Sequence, residues 1–347
     1  MFFEIDFIPV GDGEKGGDAA ALRVWDSSGN QLVFVVDGGT KESGDALVEH
    51  IKTHYNTTVV NAVFCTHPDA DHSSGLSEVL EKLTVQSLIM HRPWAHAGEI
   101  KHLFDNRSLT LLGLSRQMRK ELEFAHDLEK IAIRRGIPVH EPFAGNVYLN
   151  GIVRILGPST SYYETLLPQF RSTPEPAEGF IQQAYRKVQE AVEWVAETMQ
   201  SETLTDEGGH FSAENSSSAV ILFTFDAAKV LFTGDADIEA LSQAALHANE
   251  SGIRLDDLHI LDVPHHGSRH NVGPTILNYI KAKYSHISAP TKADKHPAKK
   301  VVNALIRRGS QVYTTQGKGV CYPGPGVAMR AGWNAVTALP FSTAVEK

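Results

Sequence analysis

Cysteine is nearly absent from this 347-residue chain, with Cys65 and Cys321 the only two. Two such distant residues build neither a disulfide framework nor the close-set pairs of a zinc ribbon, which suits a reducing compartment; the expected location is the cytoplasm. Long apolar runs are missing as well. No stretch approaches the roughly 18 residues needed to cross a bilayer, and MFFEIDFIPV carries Glu4 and Asp6 with no basic flank, which reads as a strand rather than a secretion signal. Excess positive charge is lacking too: 32 Lys and Arg face 41 Asp and Glu, a formal charge of −9. A polyanion would meet unfavourable long-range forces unless basic residues gather locally. The Gly-rich residues 10–18 contain neither a Gly-Lys-Ser/Thr nor a Gly-x-Gly-x-x-Gly before a helix, so the common nucleotide-cradling loops are excluded.

What is present is an alternation of short β-branched and aromatic runs with amphipathic stretches. Strands are expected at residues 2–10, 20–25, 32–36 and 59–65, and again at 219–225, 230–232, 259–263 and 284–288. Helices are expected at 44–54, 76–83, 276–282 and 298–308. The same strand-and-helix pattern in each half predicts an α/β protein, an αββα sandwich of two face-to-face sheets with helices outside, formed as one domain over 1–347. Residues 99–135 and 161–205 interrupt the scheme as helical insertions, the second with a helix over 180–199 followed by a polar loop at 202–218. Insertions of this kind on a rigid scaffold usually carry specificity.

The chemistry is concentrated after the strand at 59–65. There Thr66-His67-Pro68-Asp69-Ala70-Asp71-His72 places four candidate ligands, His67, Asp69, Asp71 and His72, within six residues. Carboxylates and imidazoles that dense either form a solvated polar turn or close around a divalent cation, which holds such groups at about 2.0–2.2 Å. Asp235 ends a second strand as Thr233-Gly234-Asp235, and Val263-Pro264-His265-His266-Gly267-Ser268 ends a third. Asp37 lies in Asp37-Gly38-Gly39, Asn215 heads Asn215-Ser216-Ser217-Ser218, and His296-Pro297 stands nearer the C-terminus. His91, His96, His102, His126, His140 and His210 have no partners at metal spacing and read as structural.

His-x-Asp-x-Asp-His after an apolar strand resembles the metal motif of the metallo-β-lactamase superfamily, and the other elements follow in that family's order. Asp69 stands where most of the superfamily has His. With His265-His266-Gly267-Ser268 it is similar to the branch containing the nuclease-like domain of the competence DNA-uptake channel and the choline-phosphate esterases of teichoic acid. The resemblance implies two divalent metal ions, Zn or Mn, the oxygen-rich set suiting either. It implies His67, Asp69 and Asp235 at one ion, and Asp71, His72, Asp235 and one of His265 or His266 at the other, with Asp37 supporting the loop from behind. A hydroxide from a shared water would be the nucleophile. Asp71, His265 and His296 are the candidate catalytic residues; His296 could touch substrate, donate a proton or cap a helix. Ser268 and Arg269, with Lys292, are candidate contacts to an anionic substrate. The Gly-rich residues 10–18 resemble a family loop near the metals, with Asp18 structural. A further family His is missing, since the matching strand end reads Ile155-Leu156-Gly157-Pro158-Ser159, which leaves the first metal position short of a ligand.

Three functions follow from these readings. Hydrolysis of a phosphodiester, nucleic acid included, leads; the basic residues of 99–135 would then offset the net acidity. Hydrolysis of a small ester, lactone or amide is favoured by the net charge and by Tyr162, Tyr163, Phe170, Tyr185 and Trp194. A non-catalytic binding or sensing role would follow from an incomplete metal site.

Overall fold

The computed structural model describes residues 1–11, 16–104, 108–174, 194–209, 211–293 and 296–346. Two seven-stranded mixed sheets form its centre. In the first, Val320–Pro323, Phe2–Phe7, Ala19–Trp25 and Gln31–Gly38 run antiparallel in that order. Ala62–Cys65, Leu88–Met90 and Val139–His140 then continue in parallel. The second orders Gln311–Thr314, Ala282–Ile287, Leu258–Asp262 and Ala228–Phe232 in parallel, followed by antiparallel Val220–Phe225, Val153–Gly157 and Val147–Tyr148.

Strand alternation decides what faces the interior. Phe3, Ile5, Phe7, Leu22, Phe34 and Phe64 of one sheet meet Ile221, Phe223, Phe225, Phe232 and Ile260 of the other in a single buried cluster. Phe34 and Phe64 both pack on Phe223, at 5.4 and 5.6 Å between ring centroids. The outer face of the first sheet is covered by the helices Lys41–His54, Leu76–Lys82, Leu111–Glu121 and Glu123–Arg135. The helices Ile238–Glu250, Pro274–Tyr279 and Lys299–Arg307 cover the second. The fold is therefore the α/β sandwich with helices on both outer faces.

The described part of 99–135 is largely helical, and its last turn is tied to the helix Leu76–Lys82 at the surface: Arg134 pairs with Glu81, and Arg135 donates to the carbonyls of Leu80 and Glu81. Arg116 and Lys120 face solvent. The segment at 161–205 departs from the expected helix over 180–199. Trp194–Ala196 is a strand paired with Ala344–Glu346, fixed by the Glu197–Arg307 ion pair beside it, while 175–193 lie outside the described residues. A short helix, Ala213–Ser216, also interrupts the expected polar loop, capped by the Ser212 hydroxyl.

Candidate metal centre

In open sheets with parallel strands, ligands gather beyond the carboxyl ends of those strands. Here the strands Gln31–Gly38, Ala62–Cys65, Ala228–Phe232, Leu258–Asp262 and Ala282–Ile287 deliver Asp37, His67, Asp235, His265 and Ser288 to one place. The backbone there is unusual. Asp37, His265 and His266 take φ of 53°, 50° and 55°, a region costing about 1–3 kcal/mol for a side chain other than glycine. Gly234 also has φ +50°, and a Cβ on it would lie 2.7 Å from Thr66 Oγ1, so the Asp235 turn can approach the His67 strand only as glycine.

Asp37 anchors the motif from behind. It accepts from Thr66 N at 2.8 Å, from Thr66 Oγ1 at 2.6 Å and from His72 Nδ1 at 2.8 Å. Because a carboxylate only accepts, His72 carries its proton on Nδ1. The same reasoning applies to three more imidazoles. Thr66 Oγ1 has given its proton to Asp37, so His67 Nδ1 donates to it at 3.1 Å. His266 Nδ1 donates to the Ser288 carbonyl at 3.1 Å. Asn271 donates its Nδ2 to the carbonyls of Asp235 and Ala236, leaving Oδ1 to accept from His265 Nδ1 at 3.0 Å. In its neutral form each of the four rings therefore presents an Nε2 lone pair.

Those lone pairs converge on Asp235. His67, His72 and His265 Nε2 lie 3.8, 3.4 and 3.7 Å from its carboxylate oxygens. His67 Nε2, His72 Nε2 and Asp235 Oδ1 are buried with no hydrogen-bond partner among the described residues. Three buried acceptors aimed at one another repel unless positive charge sits among them, either a second proton on His72, whose pKa Asp235 and Asp37 raise against burial, or a metal ion; imidazole with carboxylate is the donor set of a divalent ion. Ligand atoms of His67, His72 and Asp235 fall within 4.8 Å of one another, as do those of Asp71, His72 and His266; a third group behind them joins Asp18, Asp37 and His72. The residues present fit the metal that the fold implies.

The charges agree. Burial would raise the Asp235 carboxyl, yet His265, His72 and His67 pull it well below the usual range. Burial lowers His266, but Asp18, 3.6 Å from Nδ1, lifts it to about 9. Nearby Asp262 is pushed well above the carboxylate range by burial and by Asp18 and Asp37. The buried Asp18 and Asp235 carboxylates, both held below the usual range, are stabilised by positive charge, while Asp262 stays protonated.

Other expected residues are placed as follows. Asp71 is half-buried at the start of the short helix Ala70–Ser73. Asp69 turns to Arg171, whose Nη1 donates to Oδ1 at 2.7 Å, and belongs to none of the three groups. His296 stacks at 6.0 Å from His265. Ser268 is buried, its hydroxyl accepting from His270 N at 3.3 Å, which makes it a turn residue. Arg269 lines a cavity of about 310 Å³ together with His270 and Lys300, and Lys292 is exposed. His210 lies outside the described residues. The sequence reading missed Asn271, Arg171 and Glu214 and took Asp18 as structural. Asn215, noted there only as part of a run, donates Nδ2 to Asp235 Oδ2 at 2.9 Å. Asn271 lies six residues past His265 and was the one of these within reach of a local signal.

A model of the metallo-beta-lactamase superfamily matches residues 21–288. No curated protein matches the chain in sequence. Among solved structures it is similar to the metallo-beta-lactamase SMB-1, at 11% identity over 77% of this chain and 80% of that one, with a TM-score of 0.33. It is also similar to CmlA, a diiron beta-hydroxylase from Streptomyces venezuelae, at 12% identity over 92% and 54%, with a TM-score of 0.42. A long-form RNase Z from yeast aligns at 13% identity over 92% and 41%, with a TM-score of 0.37. These likenesses concern the fold and do not bear on substrate.

Proposed function

The chain belongs to the metallo-beta-lactamase superfamily, and from that premise we propose that it is a metal-dependent phosphodiester hydrolase, related to the competence-type nuclease branch through Asp69 and the run His265-His266-Gly267-Ser268. The observation that carries the hydrolase reading is the convergence of imidazole Nε2 atoms on Asp235, with His67, His72 and Asp235 atoms left without partners. Asp71, His72 and His266 complete the donors on the other side. A bound Zn²⁺ or Mn²⁺ supplies Lewis acidity and brings the pKa of a coordinated water toward neutrality.

The chain's own groups then have distinct tasks. Asn215 and the Ser218 hydroxyl fix the Asp235 carboxylate and backbone, at 2.9 and 3.1 Å. Asn271 holds His265 to the same turn. His296 stacks beside His265 and is assigned to protonating the departing oxygen. Arg269 and Lys300 share a cavity wall with Glu207, so two cations against one carboxylate leave that wall net positive toward an anionic substrate. The small-ester reading draws less support, because Tyr163 and Phe170 of the second insertion are core residues, exposed by 0% and 2%.

The test is a hydrolase screen on protein stripped with a chelator and reloaded with Zn²⁺ or Mn²⁺. Bis-p-nitrophenyl phosphate should be cleaved, and Asp71→Ala should lower kcat roughly 100-fold or more. Cleavage of lactones or carboxylic esters alone would overturn the phosphodiester assignment, and wild-type rates in Asp71→Ala would overturn the site. Salt-sensitive binding of DNA or RNA would extend the substrate class to nucleic acid.

A further inference from the structure

The corner between His67 and Asp69 is where the chain departs most from a symmetrical two-ion centre. Its carboxylate, Asp69, is taken by an arginine from the second insertion. The turn that carries that arginine is fixed, while its side chain is 48% exposed. Phe170 and Ser172 on either side are buried, Thr173 Oγ1 donates to the carbonyls of Pro168 and Phe170, and Arg171 N donates to Glu214 Oε1 at 2.8 Å. Glu214 is itself buried at the first turn of the helix Ala213–Ser216, with the Arg171 guanidinium 3.6 Å from its carboxylate. Arg171 thus reaches Asp69 from a fixed turn, carrying a charge that is not titrated in proteins.

We propose that Arg171 stands in for a cation at this corner, neutralising Asp69 and holding it away from the other ligands, so that the chain carries one divalent ion rather than two. The inference rests on the metal-dependent reading above. A guanidinium beside Asp69 repels a dication there, and once Asp69 is withdrawn His67 is the only donor of its group that a second ion would not share, His72 and Asp235 being common to both ions. Asp71, His72 and His266 keep their ligand atoms within 4.8 Å of one another, and Arg171 acts on Asp71 only after Asp69 and Glu214. Arg171 is therefore a positioning residue, acting on the centre through Asp69.

Metal stoichiometry reads this without reference to turnover. Elemental analysis and titration calorimetry with Mn²⁺ and Zn²⁺ on the chelator-stripped full chain should give one ion per chain. Asp69→Asn should leave that stoichiometry and affinity unchanged, since Asp69 is not a ligand. Arg171→Ala should open a second, weaker site, and Arg171→Lys, which keeps the charge, should close it again. Two ions in the wild type, with one lost in Asp69→Asn, would overturn the proposal, as would a single ion persisting in Arg171→Ala. No bound ion at all would overturn the proposed function and this inference with it, a result distinct from either of those.

Discussion

His91 is buried, and among the described residues neither ring nitrogen has a hydrogen-bond partner. It stacks on Tyr163 at 4.4 Å and lies 4.9 Å from Phe143; the charged groups acting on it are Glu141, which raises its pKa, and His96, which lowers it. Burial prevails and pushes the imidazole down to about 3 from an ordinary 6.5. The unfolded chain therefore takes up a proton first as the pH falls. Stability is fully present above pH 6.5 and is lost progressively between 6.5 and about 3. His91→Phe, which keeps the stacking, should remove about 2 kcal/mol of the stability lost between pH 7 and pH 5. Urea melts at the two pH values check this, and identical pH slopes in variant and wild type would contradict it. At the same scale, sequence and structure differ instructively. His67, Asp71, His72 and Asp235 were legible because each stands in a short motif at a strand end. Arg171 was not, because its partner Asp69 is 102 residues away and nothing local marks the pairing.

Among the helices, Ile238–Glu250 shows how an element start can serve the centre. Its N-cap Asp237 accepts from Ala240 N at 2.8 Å through one oxygen and from the Ser216 hydroxyl at 2.5 Å through the other. One carboxylate thus satisfies an orphan helix donor and ties the helix to the turn that carries Asn215. Asp237→Ala should cost about 1–2 kcal/mol of stability by chemical denaturation, with Asp237→Asn losing less; equal stability in all three proteins would remove the cap from the account. Hydrophobic periodicity placed eight of the fourteen described sandwich strands to within a few residues, since each buries one face, but it gave no place to Leu88–Met90, Val139–His140, Val147–Tyr148, Val153–Gly157, Gln311–Thr314, Val320–Pro323 or the helix Ile238–Glu250. It misread Trp194–Ala196 because three residues show no useful period, and the pairing that makes them a strand comes from Ala344–Glu346.

Across the whole molecule, the outer face of the strand Phe2–Phe7 is locked by a buried polar network. Asp6 receives both Arg330 nitrogens, at 3.0 and 2.7 Å, and the Tyr55 hydroxyl at 2.6 Å, with His50 Nε2 at 3.0 Å. Arg330 also lies 2.8 Å from Glu4, which Arg23 reaches at 2.7 Å. Removing one member strands buried carboxylates, so Arg330→Met should cost about 3–5 kcal/mol. A loss below about 1 kcal/mol in a denaturant melt would show that the network is not the clasp described here. Glu4 and Asp6 were visible in the sequence only as oddities within an apolar run; their partner sits 324 residues further on. The same distance sets a timetable. Strand Val320–Pro323 forms the edge of the first sheet by pairing with Phe2–Phe7, and translation proceeds at about 5–20 residues per second, so Phe2–Phe7 waits roughly 15 to 60 s for that neighbour. Throughout that interval one side of Phe2–Phe7 lacks its strand partner, so a chain cut short before Val320 exposes an edge open to pairing with another chain.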